Sequence, residues 1–196
     1  VRLARDHGRH EPRILDSGCG TGYYLQALLA ALPGASALAL DAANAAVAMT
    51  VGATGAAGLV ADVWRPLPVR TNAADVIVCV FAPRNVPEFS RILSPGGVLL
   101  VVTPRRDHLR ELRETGELIG IHPDKLGTLD AAMSALGPLA HREALEYTIT
   151  LDADAVRSVS GMGPSGHHAR SDAAPHTPAA RAVTVSVDLS VFAAPR

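Results

Sequence analysis

Asp16-Ser17-Gly18-Cys19-Gly20-Thr21-Gly22 is the stretch from which the rest of the chain can be read. A short apolar run, Ile14 and Leu15, precedes it, and Tyr23-Tyr24-Leu25-Gln26-Ala27-Leu28-Leu29 follows with helical apolar spacing. The glycines therefore fall where a strand turns into a helix, which is the layout of a nucleotide-binding turn. Glycine leaves no side chain between backbone and ligand and tolerates dihedrals that other residues resist. The helix that follows points unpaired N–H groups at whatever lies in the turn. A dinucleotide fingerprint G-x-G-x-x-G is excluded, because the position three after Gly20 is Tyr23, whose bulk opposes close pyrophosphate approach.

Outward from the turn, Arg13 to Asp16 reads as strand one and Thr21 to about Leu32 as its helix, stopped by Pro33-Gly34. Ala37-Leu38-Ala39-Leu40-Asp41 is a short strand closing on an acid, with a helix from Ala42 to Val51; Asp41 could also cap that helix. Leu59-Val60-Ala61-Asp62 ends a third strand on another acid. Val63 and Trp64 supply apolar surface beside it, although covering the core edge is the commoner role for a tryptophan. Asp75 to Phe81 is continuous and β-branched, as a central parallel strand buried on both faces should be. Its end, Phe81-Ala82-Pro83, falls at the switch point where open sheets bind ligands; Phe81 either stacks on a base or plugs the sheet end, the plug being slightly favoured. A helix over Asn85 to Leu93, a turn at Ser94-Pro95-Gly96-Gly97 and a fifth strand from Val98 to Pro104 follow. After a helix from about Asp107 to Glu117 and an irregular stretch to Leu139, two alternating strands are expected, Ala144 to Leu151 and Thr184 to Phe192. Asp152 caps a short helix between them. The pattern predicts an α/β protein with a seven-stranded, mostly parallel sheet and helices on both faces.

At 196 residues one domain is expected, residues 14–196, behind a polar lead-in at 1–13. No apolar run approaches the ~20 residues that span a bilayer, and no signal peptide is visible, so a cytoplasmic location is the default expectation. Cys19 and Cys79 read as small reduced core residues, with neither a disulfide framework nor a metal site indicated. The net charge of −1 leaves no general electrostatic footprint for nucleic acid, though Arg105, Arg106, Arg110 and Arg113 could form a local basic rim. Oligomeric state, a homodimer included, is left open.

With Asp16 ahead of the turn, the pattern D-x-G-x-G-x-G resembles motif I of Rossmann-like, class I S-adenosylmethionine (AdoMet) dependent methyltransferases. The resemblance implies AdoMet as cofactor. In that class the glycine turn, here Gly18, Gly20 and Gly22, makes room for the methionine part and the acid at Asp16 helps hold its ammonium. The acid ending strand two, Asp41, accepts from the ribose hydroxyls, and the position of Asp62, with Val63 beside it, faces the adenine. The end of strand four, Phe81 and Ala82, faces the methyl group and the acceptor.

Further motifs carry a closer likeness: Gly22-Tyr23-Tyr24, Phe81-Ala82-Pro83, Pro95-Gly96-Gly97, Thr103-Pro104 through His108-Leu109 and Glu111-Leu112, and Met162-Gly163-Pro164-Ser165. Together with motif I they resemble the 23S ribosomal RNA guanine-N1 methyltransferases, including the branch that confers macrolide resistance. By that resemblance Thr21, Gly22, Tyr23 and His108 lie at the cofactor. Phe81, Pro83 and the run Met162, Gly163, Pro164, Ser165, His167 and His168 lie on the substrate side, with 23S rRNA as partner. The family carries a four-cysteine zinc module ahead of motif I, which residues 1–13 do not contain; a truncated form or a shortened relative is implied. No residue is placed to be named the general base. A small-molecule methyltransferase and an AdoMet-binding remnant without turnover are the alternative readings.

Overall fold

The computed structural model describes residues 11–115, 125–162 and 180–195. The elements are β1 (Arg13–Ser17), α1 (Tyr23–Ala31), β2 (Ser36–Asp41), α2 (Asn44–Thr54), β3 (Ala57–Val60), β4 (Ala74–Val80), α3 (Val86–Ile92), β5 (Leu93–Pro104), α4 (Arg110–Glu114), α5 (Lys125–Met133), β6 (Leu139–Leu151), α6 (Ala153–Met162) and β7 (Arg181–Ala193). The strands form one seven-stranded sheet in the order β3-β2-β1-β4-β5-β7-β6. From β3 to β5 all neighbours pair in parallel. The end of β7 meets the beginnings of both its neighbours, since Ala194 donates to the Gly97 carbonyl at 2.8 Å and Ala193 to that of Pro138 at 3.1 Å. Thus β7 alone runs against the rest, and the sheet is mixed.

By its contacts the chain divides into two compact units, one comprising Val1–Thr103, Leu126–Arg142 and Leu189–Arg196, the other Pro104–Lys125 and Glu143–Asp188. In the first, successive strand residues serve opposite faces, as the two-residue period of a strand requires. Leu15, Ile77, Cys79, Leu99 and Val101 pack with Phe89 and Ile92 of α3 and with Leu129 and Met133 of α5. Ile14, Val76, Val78 and Val98 pack on the other face with Leu25 of α1 and Val47 of α2. In the second unit Leu112 of α4, Val156 of α6 and Val183 of β7 form a smaller core. Cys19 and Cys79 are free and buried, as expected.

Several local expectations shift. The stretch Ser94 to Gly97 is not a turn but the start of a twelve-residue β5. Strand β3 ends at Val60, so Asp62 stands in the turn beyond it. Helix α2 begins at Asn44 after Ala43, with no side-chain cap, so Asp41 is not its N-cap. Asp152 does cap α6, its Oδ1 accepting from Ala155 N–H at 2.8 Å.

Candidate functional site

The turn after β1 is built by backbone. Gly18 and Cys19 N–H both donate to the Leu40 carbonyl of β2, at 2.8 and 3.0 Å, and Gln26 N–H donates to Gly22, starting α1. Gly18, Gly20 and Gly22 have φ of 83°, 53° and 83°, in the left-handed region that costs other residues energy. Their surroundings differ. A Cβ on Gly18 would land on the Cβ of Ala82 at the end of β4, and one on Gly22 would press on Thr50 at 3.0 to 3.1 Å. A Cβ on Gly20 would meet nothing within 4 Å. Two glycines are thus demanded by neighbouring chain, while the third borders open space.

Two carboxylates flank the turn. Asp16 is 3 % exposed, and burial, then the charge of Asp41, push its carboxyl up to about 6. No described residue gives it a hydrogen bond, and beside it the Ser17 hydroxyl is fully buried without a partner. Asp41 has one backbone donor on each oxygen: Gly20 N–H on Oδ2 at 3.1 Å and Ala43 N–H on Oδ1 at 3.0 Å. A carboxylate offers about four acceptor positions, so both oxygens keep capacity for a ligand. Thr50 Oγ donates to the Gly20 carbonyl at 3.0 Å and fixes the turn from the α2 side. Burial pushes the Cys19 thiol up, so it stays protonated and adds no charge.

The next strand ends stand on the same edge of the parallel sheet. After β3, Asp62 Oδ1 accepts from Trp64 N–H at 3.0 Å, and the Val63 carbonyl accepts from Asn85 Nδ2 at 2.8 Å. This turn directs Val63 into the core, where it is 8 % exposed, and leaves Trp64 63 % exposed, so the tryptophan does not cover the core edge. After β4, Phe81 adopts φ of 54°, a costly conformation for a bulky residue, and is 48 % exposed. It does not plug the sheet. Such strain held beside a sheet switch point is a mark of a functional edge. Pro83 is exposed, and its carbonyl, like that of Ala82, lies within reach of the Cys79 thiol. Thr21 and Tyr23 are exposed at the mouth of the turn, Tyr23 packing edge-on against Tyr24.

His108 belongs to the second unit. Its Nδ1 accepts from Ser186 N–H at 3.3 Å, which leaves the proton on Nε2, and burial followed by the charge of Arg113 lowers its basicity. Met162 closes α6; Gly163, Pro164, Ser165, His167 and His168 lie outside the described residues. Thr50 and Asn85 were missed in sequence. Thr50 carries no local signature. Asn85 does: with Glu88 three residues on, it has capping-box spacing, and its Oδ1 accepts from Glu88 N–H at 3.4 Å.

The strand order, the glycine turn and the acid-tipped strands define a class I, Rossmann-like AdoMet-dependent methyltransferase fold. Residues 14–97 match the Methyltransferase domain family. A putative methyltransferase from Bacillus halodurans superposes with a TM-score of 0.65 at 12 % identity, over 100 % of this chain and 98 % of that one. The chain resembles the 23S rRNA guanine-N1 methyltransferases along most of its length as well as in its motifs. It is 40 % identical over 183 residues to the 23S rRNA (guanine(748)-N(1))-methyltransferase of Streptomyces fradiae, covering 91 % of this chain and 65 % of that protein. It is 40 % identical to a putative 23S rRNA (guanine-N(1)-)-methyltransferase of Micromonospora griseorubida, covering 93 % and 61 %. The chain thus spans a little under two thirds of the curated relatives it matches.

Among the described residues no helix is long and apolar enough to cross a membrane, and no group of three or more His, Cys, Asp and Glu is arranged to hold a metal.

Proposed function

We propose that this chain binds AdoMet at the β1–β4 edge and transfers its methyl group to guanine N1 in a hairpin loop of 23S rRNA. The single observation that carries the cofactor is the pairing of open space at Gly20 with a buried carboxylate, Asp16, that no described residue satisfies. An ammonium ion is the partner such a group lacks. In this reading Asp16 holds the ammonium, and Gly18, Gly20, Thr21, Gly22 and Tyr23 border the methionine part. Asp41 uses its remaining acceptor positions on the ribose hydroxyls. Asp62 and Val63 serve the adenine, Asp62 by side chain and Val63 by backbone, because the Val63 side chain is committed to the core. For His108 the support is the family resemblance.

AdoMet, when bound, supplies a methyl group made electrophilic by its sulfonium. What remains for the protein is chiefly position, holding the acceptor nitrogen in line and water away. Phe81 and Ala82 stand where the acceptor would approach, and the exposed Phe81 ring offers a face for a base that has left its stack. Pro83 and the run from Met162 to His168 complete the substrate side. The RNA assignment rests on the relatives named above.

The test is incorporation of labelled methyl from AdoMet into a 23S rRNA hairpin fragment, with a second fragment already methylated at guanine N1. Label in the first and not in the second is expected. Label only in a small-molecule extract would replace the RNA assignment with a metabolite. Binding of the demethylated product, S-adenosylhomocysteine, without transfer to either would reduce the chain to a cofactor-binding module.

A further inference from the structure

The second compact unit holds a polar cluster that the cofactor site does not use. Arg105, directly after β5, lies 3.8 Å from the carboxylates of Glu146 on β6 and Asp188 on β7. At that separation the pairs are electrostatic and too long to be hydrogen bonds. None of the five guanidinium donors bonds a described residue, although the backbone is anchored, Arg105 N–H donating to the Ser186 carbonyl at 3.0 Å. Asp188 has a side chain only 8 % exposed and no hydrogen-bond donor among the described residues. Glu146 is fixed by one oxygen: Oε2 accepts from the buried Ser186 hydroxyl at 2.8 Å, while Oε1 bonds no described residue and the side chain is 52 % exposed. Ser186 N–H is occupied by His108, so Ser186 serves as the fixed post of the group. Ser186 and Asp188 are buried and hold the cluster, while the Arg105 and Glu146 heads are open to solvent, so a fork and a carboxylate with unused donors and acceptors stand at fixed spacing where a ligand with the complementary pattern can reach them.

We propose that Arg105 and Glu146 form a recognition site for the Watson–Crick edge of a guanine base, an inference that rests on the reading of the chain as a guanine methyltransferase. That edge presents, side by side, the acceptor O6, the donor N1–H and the donor N2–H2. The Arg105 fork supplies donors to O6, and Glu146 Oε1 accepts from N1–H and N2–H2. Asp188 steadies the guanidinium from the protein side and is a positioning residue. Adenine places an acceptor at N1, which a carboxylate repels, and uracil flanks its one donor with acceptors. A paired fork and carboxylate therefore choose guanine over the other bases.

The experiment titrates the full chain with guanosine, inosine and adenosine 5′-monophosphates by ligand-observed NMR, the three sharing ribose and phosphate. Guanosine monophosphate should bind roughly tenfold more tightly than adenosine monophosphate, within what one good bidentate base contact discriminates. Inosine monophosphate, which lacks the 2-amino group, should fall between. Glu146→Gln and Arg105→Lys should each erase most of that preference while S-adenosylhomocysteine affinity is unchanged. Equal binding of the three nucleotides by the natural chain, or a preference that survives both substitutions, would overturn the inference. Should Glu146→Gln fail to fold, Arg105→Lys, which keeps the charge and removes the planar fork, decides alone. Loss of S-adenosylhomocysteine binding in the natural chain would instead strike at the methyl-transfer reading and leave the nucleotide preference to be judged separately.

Discussion

On the proposed reading, Asp16 is where binding and stability oppose each other. Its carboxyl is raised from 3.8 to about 6. Between about pH 4 and 6 the folded chain therefore keeps a proton that the unfolded chain has released, and stability falls as pH rises through that window. A rise of that size corresponds to about 3 kcal/mol of disfavoured ionisation. Asp16→Asn should remove this penalty, raising the unfolding free energy at pH 7 by up to about 3 kcal/mol while weakening S-adenosylhomocysteine binding at least about tenfold. Denaturant titration at pH 4.5 and 7, with calorimetry of the ligand, checks both signs. In the natural chain a cationic ammonium favours the ionised carboxylate, so ligand affinity should climb from pH 5 to 7 and then level. The glycines divide in the same way. Gly20→Ala should fold, at a cost of about 1 to 2 kcal/mol for its positive φ, yet lose cofactor affinity. Gly18→Ala should destabilise the fold itself through its clash with Ala82, and thermal unfolding of the two variants separates these cases.

Helix α3 is the element that shapes the turn after β3. Glu88 Oε2 accepts from Leu67 N–H at 2.7 Å, and Arg91 donates to the Val69 carbonyl at 2.7 Å and that of Leu67 at 3.2 Å. The Arg91 guanidinium, then the Leu67 N–H, hold the Glu88 carboxyl down to about 2. Its contribution is present above about pH 4.5 and is lost as pH falls toward 2. The two side chains are partly exposed, so about 1 to 2 kcal/mol is expected from the pair. Glu88→Gln should lower the unfolding midpoint at pH 7 and approach the natural chain as pH falls to about 2. Asn85, which joins the start of α3 to Val63, should cost about 1 kcal/mol or more as Asn85→Ala through its cap alone. A similar acid-labile bond ties α4 to β7. Although burial opposes it, the two bonds from Thr184 hold the Glu111 carboxyl at about 2.

For the molecule as a whole, a ligand that binds only the folded chain must stabilise it by mass action. S-adenosylhomocysteine at about a hundredfold over its dissociation constant should add about 2.7 kcal/mol to unfolding. An unchanged midpoint in differential scanning calorimetry would remove the cofactor from this reading. The main outline of the fold, the alternation of β-branched runs with helical ones and the glycine turn between the first pair, was legible because strand period, helix period and turn chemistry are local properties. The acids at Asp16 and Asp41 were legible for the same reason, since a strand end in a parallel sheet is marked by where its apolar run stops. Other features depend on chain that is distant in sequence. Gly18 must be glycine because Ala82 passes beneath it, and Asp16 is buried in a strand paired on both sides, by β2 at Ala39 and β4 at Val78. Val63 turns inward and Trp64 outward because Asn85 and Asp62 fix the turn. Arg105, Glu146 and Asp188 meet because β7 runs antiparallel between β5 and β6, a matter of global register that no short window of residues encodes.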